Sequence, residues 1–163
     1  NVGSSCASGM RGGKLFIYGN TGDKFCSSPN TSREGLIDGN IYVQGSVGSN
    51  SIQRMRRGII VIEKNTGDNC CSNLISGTII VKGKIGDNFL ESSKRGTVFG
   101  SDKKIIKGYR KANDADYNFI PFMGKLLESI YERKVLKGSS FLRYQGCLAN
   151  STNLTEIFLT RKN

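Results

Sequence analysis

Apolar and polar positions recur along this chain by a fixed translation. Gly58-Ile59-Ile60-Val61-Ile62 leads to Gly67-Asp68, and 19 residues on Gly77-Thr78-Ile79-Ile80-Val81 leads to Gly86-Asp87. Opening glycines stand at Gly13, Gly39, Gly58, Gly77 and Gly96, in steps of 26, 19, 19 and 19. Closing glycines follow nine residues later at Gly22, Gly48, Gly67 and Gly86, and Gly3 lies 19 residues before Gly22. Alternate positions after the opening glycine are apolar. One column holds Leu15, Ile41, Ile60, Ile79 and Val98; the next holds Ile17, Val43, Ile62 and Val81. Residues two apart on a strand share a face, and β-branched side chains suit a pleated surface. The two columns therefore predict the buried face of a short strand. Met10, Leu36, Met55 and Leu74 form a third apolar column, and Cys6, Phe25, Cys70 and Phe89 a fourth, interrupted by Ser51.

A helical repeat needs a 3.6-residue rhythm and two elements of about ten residues or more. A glycine-studded unit of 19 residues has no room for them. It fits short strands joined by glycine turns, like residues stacking above like at about 4.8 Å. That predicts a β-solenoid in residues 1–100, each coil touching only its neighbours. The 26-residue step reads as one coil plus a seven-residue surface insertion around Cys26–Ser32. Residues 101–163 form a second part. A polar linker over 101–118 precedes a helix at 121–137, with Pro121 in its first turn and Gly138 at its end. Phe122, Met123, Leu126, Leu127, Ile130 and Tyr131 fall on one helical face. That face suits either a cap over the open end of the solenoid or packing on its flank. Residues 141–144 and 156–160 read as two short strands, apt also for pairing with a partner chain.

The tandem units, with Met55-Arg56-Arg57-Gly58 and Ser76-Gly77-Thr78-Ile79, resemble the glycine-repeat β-helix family. Its members include the C-terminal region of glutamate synthase large subunits. One subunit of formylmethanofuran dehydrogenase, and its counterpart in the formyltransferase/hydrolase complex of methylotrophs, carries the same repeat. The likeness covers residues 3–100. It extends through the expected helix to Tyr144-Gln145-Gly146-Cys147-Leu148-Ala149 and Thr155-Glu156-Ile157, which favours the formylmethanofuran dehydrogenase branch. Cys147, Thr155 and Lys64 stand where that pattern has Asp, Gly and Gly. The resemblance implies a right-handed parallel β-helix, since periodicity does not set the hand. It further implies a non-catalytic scaffold subunit of a one-carbon enzyme complex, with other subunits holding the catalytic metals and a furan-type formyl carrier. A glutamate-synthase-like structural domain, a stand-alone polyanion-binding module and a β-helix carbohydrate enzyme are the alternatives. Family members have further coils upstream. An open solenoid end needs a cap or partner, so the chain reads as a C-terminal portion or as docking by its N-terminal end.

Composition narrows the chemistry. The chain has no histidine, which removes the commonest general base and the Ser-His and Cys-His pairings. Its five cysteines lack paired Cys-x-x-Cys spacing, so no metal site is expected, and Cys6 and Cys70, in the column of Phe25 and Phe89, read as core fillers. Free cysteines and the lack of a signal peptide or a roughly 20-residue apolar span suggest the cytoplasm. Asp23, Asp68 and Asp87 share one column, Ser49 interrupting. They suit turn capping through their own backbone, or else a stacked acid site. The Asn-x-Ser/Thr triplets at Asn30, Asn150 and Asn153 are not read as glycosylated, for want of a leader.

With 24 Lys and Arg against 13 Asp and Glu, the net charge is +11. Residues 1–100 carry 12 − 7 = +5 and residues 101–163 carry 12 − 6 = +6. Arg57 and Arg95 share a column; Arg11, Arg56 and Lys94 share its neighbour, with Arg54 close by. This predicts a basic stripe at Arg54, Arg56, Arg57, Lys94 and Arg95, suited to an acidic partner or a polyglutamate-tailed carrier. No cofactor is expected within the chain itself, and neither a membrane nor nucleic acid is expected as a partner. No nucleic-acid reader motif occurs, and no tryptophan offers a stacking platform.

Overall fold

The computed structural model describes residues 1–29, 32–112, 117–136, 140–146 and 153–160. Cys147, Gly138, Asn30 and Asn150 lie outside them, as does part of the 101–118 linker. The chain is mostly β, with one eight-stranded sheet and one α-helix among the described residues. Five strands follow the opening residues of the repeat units: β1 (Arg11–Ile17), β2 (Asp38–Val43), β3 (Ile59–Ile62), β4 (Thr78–Val81) and β5 (Arg95–Gly100). They pair in parallel and in register. Leu15, Ile41, Ile60, Ile79 and Val98 are consecutive partners, as are Ile17, Val43, Ile62 and Val81. From Ile41 onward these side chains are sealed from solvent.

The register also holds outside the strands. Val2 bridges Thr21 and Val47 bridges Thr66, each in parallel. Backbone hydrogen bonds link successive units through their turns, such as Gly67 N–H to Val47 O at 2.8 Å and Cys71 N–H to Ser51 O at 2.9 Å. The closing glycines make this closeness feasible: a Cβ on Gly67 would lie 2.6 Å from the Ser49 nitrogen. The insertion begins later than its expected start. Cys26 and Ser27 are buried within the repeat, and Ser27 Oγ accepts from Gln53 N–H at 3.3 Å, so the extra residues fall between Ser27 and Leu36.

Each turn after a closing glycine uses left-handed backbone at alternate residues. Asn50, Ile52 and Arg54 have φ of 55°, 61° and 56°, and Asn69, Cys71 and Asn73 have 54°, 60° and 55°. Among residues with a side chain, asparagine tolerates this region best and a β-branched residue worst, so Ile52 is held there by its packing. One result is that neighbours in sequence both face inward: Phe25 with Cys26, Ser51 with Ile52, Cys70 with Cys71. The alternation expected for strands does not apply there.

The last part of the chain adds to this sheet. β8 (Leu154–Thr160) pairs in parallel with β5, so Ile157 and Leu159 continue the two inner columns. β7 (Phe141–Gly146) runs antiparallel to β8, and β6 (Tyr109–Lys111) antiparallel to β7. The two strands expected near 141–144 and 156–160 are therefore longer, and they are paired within the chain rather than left for a partner. The sheet is mixed and does not close; β1 and β6 are its edges. Gly100 leaves room for Ile105, which lies in a 3₁₀ turn (Lys103–Ile106): a Cβ on Gly100 would meet Ile105 Cδ1 at 2.9 Å.

The helix α1 (Phe119–Tyr131) covers the outer face of the sheet, not an end of the stack. It starts two residues before, and stops six residues before, the limits the sequence suggests. Glu132 ends it in left-handed conformation, its N–H on Glu128 O at 2.8 Å. Ile120, Leu127 and Tyr131 pack on the column Tyr42, Val61, Ile80, Phe99, Phe158. Both sheet faces are thus buried there, which explains why β3 and β4 read as nearly continuous apolar runs. The apolar helical face also has a different centre from the expected one. Phe122 is 71% exposed, and Phe119 and Leu126 are 42% and 43% exposed.

Candidate functional site

Arg57 and Arg95 stand immediately before Gly58 and Gly96, whose φ values of 99° and 142° turn the chain into β3 and β5. Only β4 separates these strands, so equivalent positions lie two spacings apart, about 10 Å. Ser76 holds the same place before β4. Both arginines are exposed. Ser76, Thr78, Thr97 and Glu156 line a shallow cavity of about 310 Å³ beside Arg95. The hydroxyls were not singled out in the sequence, although the 19-residue register places Ser76 between the two arginines and Thr78 beside Thr97.

The other three cations are less alike. Arg56 pairs with Glu34 from the insertion, both side chains partly exposed, so its charge is locally balanced. Such an exposed pair contributes little to stability. Arg54 is exposed at a left-handed turn position. Lys94 is exposed, and its backbone ties β5 to the stack: its N–H donates to Leu74 O at 2.8 Å, and its carbonyl accepts from Leu154 N–H at 2.6 Å. Among the described residues, Arg54, Arg57, Lys94 and Arg95 enter no ion pair. The patch is therefore narrower in free charge than five cations, and Arg57 with Arg95 is its most regular part.

The aspartate column serves the fold in a way that neither expectation described. Asp23 Oδ1 accepts the backbone N–H of Ser49 at 2.8 Å, Ser49 Oγ accepts that of Asp68 at 3.2 Å, and Asp68 Oδ1 accepts that of Asp87 at 2.7 Å. Each side chain caps the next unit, not its own turn. Asn1, Asn20, Ser46 and Asn65 repeat the device in a parallel line. A third line stacks amide on amide, Asn69 on Asn50 and Asn88 on Asn69. Among the described residues no cluster of three His, Cys, Asp or Glu is arranged to hold a metal ion.

The thiols of Cys26, Cys70 and Cys71 lie in the core. Burial pushes Cys70 up to about 11 and raises Cys26 and Cys71 as well. All three stay protonated near neutral pH, whereas a nucleophilic or redox-active cysteine needs a thiolate. No helix is long and apolar enough to cross a membrane among the described residues.

No protein-family model matches the sequence. No curated protein matches it significantly. A solved structure does. The chain is similar to a chain of the formyltransferase/hydrolase complex from Methylorubrum extorquens, crystallised with methylofuran, at 26% identity and a TM-score of 0.84. The likeness covers 99% of the present chain and 62% of that one, so the present chain spans less than two thirds of its length.

Proposed function

We propose that this chain is a non-catalytic scaffold subunit of a formyltransferase/hydrolase complex in one-carbon metabolism, corresponding to the glycine-repeat member of such complexes. The observation that carries the reading is the structural likeness over 99% of the chain, tail included. In this reading the units form a right-handed parallel β-solenoid over residues 1–100, and residues 101–163 are a distinct part packed on it. Parallel register at every unit and unit-to-unit bonds through the turns support the solenoid. A structural role agrees with side chains spent on stacking: carboxylates cap neighbouring units, and the Cys26, Cys70 and Cys71 thiols are buried as neutral groups. The catalytic metals and a furan-type formyl carrier belong to other subunits in this proposal, and the complex works in the cytoplasm.

Two surfaces face outward for partners. Phe119, Phe122 and Leu126 form an apolar stripe on α1 that suits an interface with another protein of the complex. Arg54, Arg56, Arg57, Lys94 and Arg95 suit the polyglutamate tail of a carrier. Replacing Arg54, Arg56 and Arg57 by Ala lowers affinity for a polyglutamate peptide; unchanged binding counts against the carrier role. The reading as a whole is tested by purifying the tagged chain from its own organism. A formyltransferase and a metallohydrolase subunit in fixed ratio are expected. A chain that arrives alone, or with nucleic acid, sinks the proposal.

A further inference from the structure

A larger concavity lies at the opposite ends of the strands from the arginine stripe. It has a volume of about 720 Å³ and an apolar floor of Leu142 and Leu159. Lys82, Lys84, Lys103 and Asn65 stand around it, and Ser101 and Thr160 form the edge shared with a second cavity of about 330 Å³. The smaller cavity is lined by Ile80, Phe99 and Phe141. The larger cavity is bordered mainly by polar and charged residues and the smaller mainly by apolar ones, and a space of this size that joins the two characters suits a small molecule.

The polar groups differ in how fully they are used. Lys82 Nζ is 2.7 Å from Glu63 Oε1, a pair that cancels. Ser101 donates its hydroxyl to Lys82 O at 2.7 Å, and Thr160 donates to Gly100 O at 3.1 Å. Asn65 Oδ1 accepts from Lys84 N–H at 2.9 Å, which leaves the amide nitrogen as a donor. Asp102 spends both oxygens on the fold, accepting from Ile85 N–H at 3.1 Å and Lys104 N–H at 3.0 Å. Its carboxyl is held below the ordinary range, first by the Lys104 backbone N–H, so its negative charge persists. Among the described residues Lys84 and Lys103 enter no ion pair. The local sum is two free ammonium groups against one carboxylate. A single negative charge balances it; a doubly charged phosphate does not.

We propose that this double cavity binds a small organic monocarboxylate, its carboxylate held by Lys84, Lys103 and the Asn65 amide and its apolar body directed over Leu142 and Leu159. The site is separate from the arginine stripe, and it stands whether or not the chain belongs to a one-carbon complex. The probe is 1-naphthoate, titrated into the isotopically labelled full chain and followed by amide chemical shifts. Saturable shifts confined to Gly83, Lys84, Ser101, Asp102 and Thr160 are expected. Neutral 1-naphthylmethanol and acetate, each lacking one half of the match, should bind at least roughly tenfold more weakly. The double variant Lys84→Glu with Lys103→Glu, both on exposed side chains, should lose naphthoate by a similar factor while its remaining spectrum is unchanged. Naphthoate binding no better than acetate overturns the proposal. So do shifts scattered over the surface lysines, or equal affinity in the double variant.

Discussion

The same substitution at two places in one glycine column tests whether the units stack as described. Gly3 and Gly67 are equivalent closing glycines. A Cβ on Gly3 meets nothing within 4 Å, whereas one on Gly67 would lie 2.6 Å from both the Ser49 nitrogen and its Oγ. Neither has the left-handed φ that would penalise alanine by itself. Gly67→Ala must push its unit from the preceding one by most of an ångström. That strains the bond from Gly67 N–H to Val47 O, now 2.8 Å, and the bond between Asp68 N–H and Ser49 Oγ, now 3.2 Å. Overpacking of this kind costs about 1–3 kcal/mol, and each weakened bond about 1 kcal/mol. A loss of about 3–5 kcal/mol follows, which for a domain of this size lowers Tm by about 6–20 °C. Gly3→Ala meets no such contact and reduces the freedom of the unfolded chain. It should leave stability unchanged or raise it by about 0.5 kcal/mol. Urea and thermal unfolding of the two variants beside the parent protein decide the matter. Equal stability of Gly3→Ala and Gly67→Ala would refute the close stacking of units, and with it the reason for the glycine column.

Asp102→Ala removes the acceptor for Ile85 and Lys104 N–H and should cost about 1–2 kcal/mol by urea unfolding. The folded-state pKa of Asp102 is depressed, so its stabilisation is present above the unfolded value near 4 and is lost as pH falls through the folded value; Asp102→Asn should lack that acid-sensitive part. Cys70 and Cys71, buried and protonated, should resist iodoacetamide at pH 8 in the native protein and react in urea; peptide mapping that finds native Cys70 labelled as fast as half-buried Cys6 contradicts their placement. Phe122→Glu alters a side chain that is 71% exposed, so it should leave Tm within about 2 °C while removing partner subunits from the purified complex; retained partners count against the helix stripe as an interface.

The strand columns were legible because every unit repeats them for the same local reason, and Leu15, Ile41, Ile60, Ile79 and Val98 pair in that order. What escaped depended on backbone handedness or on distant parts of the chain. Cys26, Ile52, Cys71 and Leu90 form an inner column that period-two reasoning assigns outward; left-handed φ at each of them turns the side chain in. The column Val2, Thr21, Val47, Thr66, Ile85 escaped because threonine and valine alternate in it, alike in shape and unlike in polarity. The outer strand face looked spare until Ile120, Leu127 and Tyr131 covered it, and the centre of the helical face was misplaced for the same reason. Among the charged positions, columns located Arg57 and Arg95. They could not show that Glu34, 22 residues away, balances Arg56.

A stack of equivalent units has translational symmetry, and nothing within such a repeat says where it ends. The same property lets fibrils grow by adding one strand after another. Here the symmetry is kept for one step past the glycine units and then broken. β8 joins in register, Phe158 lying flat on Phe99 with ring centres 5.1 Å apart, and β7 then reverses direction. A strand laid beside β7 would meet the wrong hydrogen-bond pattern for a further copy of the unit. The edge beyond is only three residues long, with exposed Arg110 and Lys111, features that discourage edge-to-edge joining. Reversal of one strand thus acts as a terminator, making this end of a potentially endless polymer a finite surface.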